Sequence, residues 1–175
     1  GVTRIIDQLD FTRFKKNTKW IIGFSDITVL HAHINSNFKI STLHAPMAAA
    51  FNKGENDFTN SLHKALIGKK AKYTTKAHLF NKLGLAKGEL IGGNLSLITH
   101  LIGTKSAIKT KNKILFIEDI GELIYSTDRM LHQLKRSGIL TNLAGLIVGG
   151  FSAVKDTERP FGKKVEEVIN DIVKE

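Results

Sequence analysis

The sequence predicts an α/β protein with a mainly parallel sheet. Three observations carry this. Short apolar runs at 19–24, 113–118 and 143–151 alternate with segments of helical periodicity at 57–67, 95–102 and 161–173. Gly68, Gly103 and Gly138 each stand where a helix would stop. The 175 residues, 42% apolar and 24% charged, are enough to bury a core in one domain or two small ones.

Taken in order, Thr3 to Leu9 reads as a short helix with Ile5, Ile6 and Leu9 on one face, followed by a basic turn. Residues 19–24 are the first strand. Residues 27–37 are a helix with Val29, Leu30 and Ile34 on one side. Lys39 to Leu43 is a second short strand. It closes on the turn His44-Ala45-Pro46, because a residue before proline avoids helical angles. Met47 to Phe51 is small and apolar, and is expected to pack near the Ser25 turn. Asp57 to Ile67 is an amphipathic helix using Phe58, Leu62, Ala65 and Leu66. Lys69 to Lys87 is basic and without clear period; it reads as a linker with one short strand around Ala71 to Thr75. A second unit starts at Gly88. Leu90-Ile91 is a strand, Gly92-Gly93-Asn94 a tight turn, and Leu95, Ile98, Leu101 and Ile102 the face of a helix. Lys113 to Glu118 is a buried strand. Ser126 or Thr127 caps the next helix, whose Met130, Leu131 and Leu134 face inward. Leu143 to Phe151 is an apolar strand, and Val165, Val168, Ile169, Ile172 and Val173 are spaced as in a last helix. The expected division is a nucleophile-bearing unit at 1–75, a linker at 76–87 and a second unit at 88–175.

Composition excludes several functions. There is no cysteine, so neither disulfides nor thiolate metal sites form. No apolar run approaches the roughly 18 residues of a membrane span, and no basic-then-apolar signal opens the chain. A cytoplasmic location is the expectation. The net charge of +10 comes from 26 basic and 16 acidic residues. Its lysines are scattered and not interleaved with aromatic residues, which favours a solvated basic surface over nucleic-acid binding. The histidines are dispersed, and His31 and His33 point apart on a helix, so no metal is expected.

The chemistry centres on Trp20-Ile21-Ile22-Gly23-Phe24-Ser25-Asp26-Ile27-Thr28. Three apolar residues run into a glycine, a serine and a polar pair able to start a helix. This fits a strand, a sharp turn with Ser25 exposed on it, and helix amides behind. Gly23 removes a side chain that would crowd the turn. Ile27 stands where a second small residue is usual, so the pattern is half met. The competing reading is that Ser25-Asp26 only caps a helix. At Gly92-Gly93-Asn94, exposed backbone amides at a helix start favour an anionic or carbonyl oxygen, and an ordinary turn fits equally well. Glu118 ends an apolar strand, where α/β sheets place their sites; it also fits a surface acid facing water or holding Arg129.

Gly23-Phe24-Ser25-Asp26-Ile27-Thr28 followed by Val29-Leu30-His31 resembles the nucleophile segment of the LD-carboxypeptidase family of serine peptidases, which includes a microcin-immunity branch. Other pieces match in order. They are Gly1-Val2-Thr3-Arg4-Ile5-Ile6 with Leu9-Asp10; Thr42-Leu43-His44-Ala45-Pro46-Met47, with Ala45 where glycine is usual; Gly88 to Leu95, containing Gly-Gly-Asn-Leu; Ile114 to Asp119; and Asp128-Arg129-Met130-Leu131. The resemblance spans almost the whole chain.

That resemblance implies a partial flavodoxin-like unit before the second α/β domain. It implies Ser25 as nucleophile, Glu118 as the acidic triad member, the Asp26 N–H as one oxyanion donor, and substrate contact at Gly92, Gly93 and Asn94. No cofactor is implied. The family's catalytic histidine lies in a Gly-His segment after the last helix. Here the sequence stops at Glu175, and none of His31, His33, His44, His63, His78, His100 and His132 matches that segment. His44, beside the elbow, is the local candidate. A second oxyanion donor belongs to a glycine segment before Gly1. The expectation is therefore a fragment with negligible hydrolysis. Its parent would remove the terminal D-alanine of a murein tetrapeptide, the murein peptide being its partner and a homodimer its assembly. The alternatives are an immunity-type hydrolase of aminoacyl-nucleotide conjugates and a peptide-binding module without catalysis.

Overall fold

The computed structural model describes residues 1–54 and 56–174; Glu175 lies outside the described residues. After 3₁₀ turns at Val2–Arg4 and Ile6–Gln8 come α1 (Thr12–Lys16), β1 (Ile22–Gly23), a 3₁₀ turn at Ser25–Ile27, α2 (Thr28–Phe38) and β2 (Leu43–His44). A 3₁₀ segment at Ala48–Lys53 leads to α3 (Asp57–Leu66). Then follow β3 (Leu90–Asn94), α4 (Leu95–His100), β4 (Ile114–Ile120), α5 (Ile124–Arg136), β5 (Gly145–Ser152) and α6 (Val165–Val173).

The strands form two parallel sheets, β1-β2 and β3-β4-β5. Gly23 pairs with His44 in the first, and Asn94 pairs with Glu118 in the second. Parallel neighbours need crossovers, and α2, α4 and α5 provide them. β4 is central and alternates strictly. Leu115, Ile117 and Asp119 point into the helix-covered core, and Phe116 and Glu118 point to the other face. Leu95, Ile98, Leu131 and Leu134 from α4 and α5 bury themselves against that core face, with Val168 and Ile169 of α6 behind. Burying a large aliphatic side chain contributes about 1.5–3 kcal/mol, so this face dominates cohesion.

α2 joins the same core through Val29 and Ala32. Polar contacts also tie it to the second sheet. The Asn94 N–H donates to Thr28 Oγ1 (3.1 Å), Ser36 Oγ donates to the Ala107 carbonyl (2.9 Å), and Asn35 Nδ2 donates to Glu89 Oε1 (2.7 Å). The helix that starts at the Ser25 turn is thereby held against β3.

Local chemistry explains the helix ends. Asn56 caps α3 by accepting from Phe58 N and Thr59 N, while Thr59 Oγ1 accepts from Asn56 N. Asn94 Oδ1 caps α4 by accepting from Leu97 N at 3.1 Å.

Several elements differ from the sequence expectation. Thr3 to Leu9 forms two 3₁₀ turns, and the basic stretch after it is α1. The first strand is confined to Ile22–Gly23 because β2 offers only Leu43–His44 as partner. Ala71 to Thr75 forms no strand: among the described residues nothing pairs with it, and Tyr73 OH shares a hydrogen bond with Ser61 Oγ (2.6 Å). Phe58 is exposed and Thr59 takes the inward position on α3. Met47 and Phe51 also face outward. α5 begins at Ile124, ahead of Ser126 and Thr127. Gly92 to Asn94 is strand, not turn.

Candidate active site

Ser25 follows the C-terminal end of β1 and has φ +56°, in the left-handed region. A non-glycine residue there costs about 1–2 kcal/mol. Such outliers concentrate at functional sites. Gly23 makes the turn possible, because a Cβ on it would lie 2.8 Å from Ile27 Cγ1 and 3.1 Å from Ile27 Cγ2. This also accounts for the half-met pattern. The bulk missing at Gly23 is occupied by Ile27, so only one of the two positions has to be small. Ser25 is partly exposed, and among the described residues its Oγ has no hydrogen-bond partner.

The Asp26 N–H sits in the first turn, where amides have no partner within the helix. Its carboxylate reaches back instead, and Oδ2 accepts from Val2 N at 2.7 Å. A Cβ at Gly1 would lie 2.9 Å from both carboxylate oxygens, so the segment at residues 1 and 2 fits closely against the elbow.

Glu118 stands near the C-terminal end of β4, on the face away from the core. β5 is irregular beside it. Ile117 pairs with Val148 but Asp119 pairs with Phe151, so β5 carries an extra residue opposite Glu118. Bulges of this kind re-aim side chains next to sites. Gly149 supplies the room: a Cβ there would lie 2.7 Å from the Phe116 ring and 3.2 Å from Glu118 Cβ. Sequence reasoning missed this pair of glycines in β5, although glycine inside a strand pattern is a bulge signal.

Glu118 Oε1 is buried and has no hydrogen-bond partner among the described residues. Burial raises the carboxyl above its ordinary value of 4.5, the neighbouring Asp119 charge adds to this, and the Asn94 amide opposes it. The folded state therefore holds this proton more tightly than the unfolded chain. The resulting stability is full below about 4.5 and is lost as pH rises through the folded-state value. Glu118→Gln cannot ionise. It is expected to melt at a higher temperature than the parent near neutrality, with the gap closing as pH falls toward 4.5. Thermal unfolding across that range checks it, and a gap that widens toward acid would contradict the assignment.

Asp119 has a different task. It is 3% exposed and accepts from Asn94 Nδ2 (2.8 Å), Ser96 N (3.0 Å) and Ile120 N (2.9 Å). Asn94 is thus committed to capping α4 and to Asp119. Gly92 and Gly93 have φ +132° and +141°, and each allows a close approach. A Cβ on Gly92 would meet the Phe116 carbonyl at 1.8 Å, and one on Gly93 would meet Thr28 Oγ1 at 2.6 Å.

The two halves approach each other through histidine and phenylalanine rings. His44, paired with Gly23, has its ring 5.2 Å from Phe116, which shares a face of β4 with Glu118. His31 lies behind it at 6.2 Å. Desolvation, and the neighbouring His31, hold the His44 imidazole below its ordinary pKa. Among the described residues, no hydrogen bond joins Ser25, Glu118 and any histidine. His33 shares one with Ser106 Oγ (2.8 Å), His100 with the Ser96 carbonyl (2.6 Å), and His132 lies 3.8 Å from Asp128. No group of three metal-binding side chains occurs among the described residues. A concavity of about 350 Å³ lies between α5 and α6, away from Ser25 and Glu118.

Family models place these features in a lineage. Residues 1–45 match the LD-carboxypeptidase N-terminal domain, and residues 87–175 match the LD-carboxypeptidase C-terminal domain. The chain belongs to the LD-carboxypeptidase family. It is 40% identical to the probable murein peptide carboxypeptidase of Bacillus subtilis, over 99% of this chain and 56% of that protein. It superposes on the muramoyltetrapeptide carboxypeptidase of Oxalobacter formigenes with TM-score 0.82 and 29% identity, over 98% of this chain and 60% of that one. It is 23% identical to the microcin C7 self-immunity protein MccF of Escherichia coli, over 94% of this chain and 57% of that protein. The chain thus spans a little over half the length of the relatives it matches. The family's α/β fold is present in it, with Ser25 in one matched domain and Glu118 in the other.

Proposed function

We propose that the protein contributes the nucleophile and the acidic triad residue of a serine LD-carboxypeptidase that removes the terminal D-alanine of a murein tetrapeptide. The observation that carries this is the left-handed Ser25 just past the end of β1, whose Oγ has no hydrogen-bond partner among the described residues. In the proposed reaction Ser25 Oγ attacks the amide carbonyl between an L-centre and the D-residue. The base takes the Ser25 hydroxyl proton, the oxygen that gains charge is met by the Asp26 N–H, and the amide C–N bond breaks as D-alanine departs with that proton. Water then releases the acyl group.

Glu118 orients the base. Its unpartnered buried Oε1 suits it to accept an imidazole N–H, since an unsatisfied acceptor of this kind costs about 1–3 kcal/mol. Among the described residues no hydrogen bond links a histidine to Ser25 or to Glu118. The proposal therefore assigns it to sequence outside these 175 residues, with negligible turnover by residues 1–175 alone. Gly92, Gly93 and Asn94 remain the proposed substrate contacts, although the Asn94 N–H is already given to Thr28 Oγ1. The division at 1–75, 76–87 and 88–175, a cytoplasmic location and a homodimer are carried as parts of the same reading.

The relationship to MccF supports a second reading, hydrolysis of an aminoacyl-nucleotide conjugate by the same residues. Turnover of murein tetrapeptide and of an aminoacyl-sulfamoyl adenylate, measured on the protein with any flanking sequence its gene encodes, separates them. D-alanine release from the tetrapeptide at the higher kcat/KM supports the first. Preference for the conjugate supports the second, and turnover of neither leaves a binding module.

A further inference from the structure

Gly23 is the last residue of β1, and its carbonyl oxygen accepts two hydrogen bonds. One comes from Ala45 N (3.1 Å), just past β2. The other comes from His31 Nε2 (3.0 Å), on α2. A carbonyl cannot donate, so Nε2 must carry a proton, and in the neutral ring Nδ1 is then bare. His31 is 6% exposed, and among the described residues its buried Nδ1 has no hydrogen-bond partner. Burial holds the imidazole below its ordinary pKa, which keeps it in this neutral form. A buried acceptor left unsatisfied is a cost that an aliphatic side chain would not carry. Among the described residues, the hydrogen bond to Gly23 is the contact for which an imidazole is needed there.

Its target is the residue from which the chain must reverse. Phe24 is extended (φ −142°, ψ −172°), and Ser25 then turns left-handed (φ +56°). With the Gly23 carbonyl held from β2 and from α2, the peptide entering the turn cannot rotate to relax Ser25. We infer that His31 is a positioning residue for the nucleophile: its Nε2–H anchors the Gly23 carbonyl and so keeps the Ser25 hydroxyl at the exposed corner of the elbow. This rests on the reading of Ser25 as nucleophile. It assigns His31 no proton transfer, because its protonated nitrogen is committed to Gly23 and its bare nitrogen is enclosed.

The test has one part that needs no turnover. Nitrogen-15 spectra of the imidazoles in the wild-type protein are expected to show His31 protonated at Nε2 and bare at Nδ1; a proton on Nδ1 would overturn the proposal. Amide exchange at Ile27 and Ala45 is expected to quicken in His31→Met and to stay near wild type in His31→Gln, whose amide reproduces the Nε2 donor. Turnover of murein tetrapeptide by the protein with its gene-encoded flanks forms the second part. His31→Met is expected to lose about 100-fold in kcat with KM within about threefold, the size of effect a slight misplacement of reacting groups produces. His31→Gln is expected to recover most of that loss. His31→Met turning over like wild type, or a His31→Gln no better than His31→Met, would overturn the proposal. Absence of turnover in the wild type would count against the peptidase reading alone, since the spectra and the exchange rates still decide the role of His31.

Discussion

Ser25→Ala is expected to lower the turnover of murein tetrapeptide by about 10⁴- to 10⁶-fold, the range seen when the nucleophile of a triad is removed. The substitution deletes one oxygen that makes no hydrogen bond to the described residues, so nothing in the fold depends on it. Alanine and serine meet the same strain at φ +56°. The variant should therefore unfold within about 0.5 kcal/mol of the parent, with KM within a few-fold. This separates chemistry from stability. Steady-state kinetics and urea unfolding on one preparation read both quantities. If Ser25 only capped a helix, the result would be reversed, with about 1 kcal/mol of stability lost and turnover little changed.

Gly92→Ala is expected to be the most damaging single methyl in the second sheet. Its Cβ would fall 1.8 Å from the Phe116 carbonyl oxygen, 2.7 Å from the carbonyl carbon and 2.8 Å from the Phe116 nitrogen. These are backbone atoms of β4, which is paired on both sides, so no side chain can swing away to make room. The φ of +132° adds strain for any residue with a Cβ. A loss above about 4 kcal/mol is expected, a large part of the roughly 5–15 kcal/mol available to a domain. Two other glycines calibrate it. Gly103 has φ +83° but open space around it, so Gly103→Ala should cost only about 1–2 kcal/mol. Gly150 has neither a neighbour within 4 Å nor a positive φ, so Gly150→Ala should change little. Denaturant midpoints of the three variants, falling in that order, check the account.

The elbow was legible because its causes are local. An apolar run, a glycine and a serine lie within one short stretch, and the clash that demands Gly23 is with Ile27, close in sequence. Helix termini were legible where a side chain or a glycine sets them, as at Gly68. Gly92 and Gly93 were misread for the opposite reason. A glycine pair before a helix is a good local turn signal, but these are needed by Phe116 of β4 and Thr28 of α2, neighbours that only the folded chain brings near. The bulge at Gly149 and Gly150 has the same origin, since its demand comes from Phe116 and Glu118 on the adjacent strand. Glu118 and Asp119 could be separated by strand alternation, one on each face. That the second is spent on Asn94, Ser96 and Ile120 while the first is left with a bare oxygen needed the structure. His31 looked like an ordinary helical histidine because its hydrogen bond runs back to the strand before the turn.

Covalent labelling tests the role of Ser25 most directly. The protein, with any flanks its gene encodes, is treated with a fluorophosphonate until turnover of murein tetrapeptide stops, then digested and mapped by mass spectrometry. The account predicts one label per chain, on Ser25, rising in step with the loss of activity. Complete inactivation with the label on another residue, or turnover that persists once Ser25 is fully modified, would contradict it.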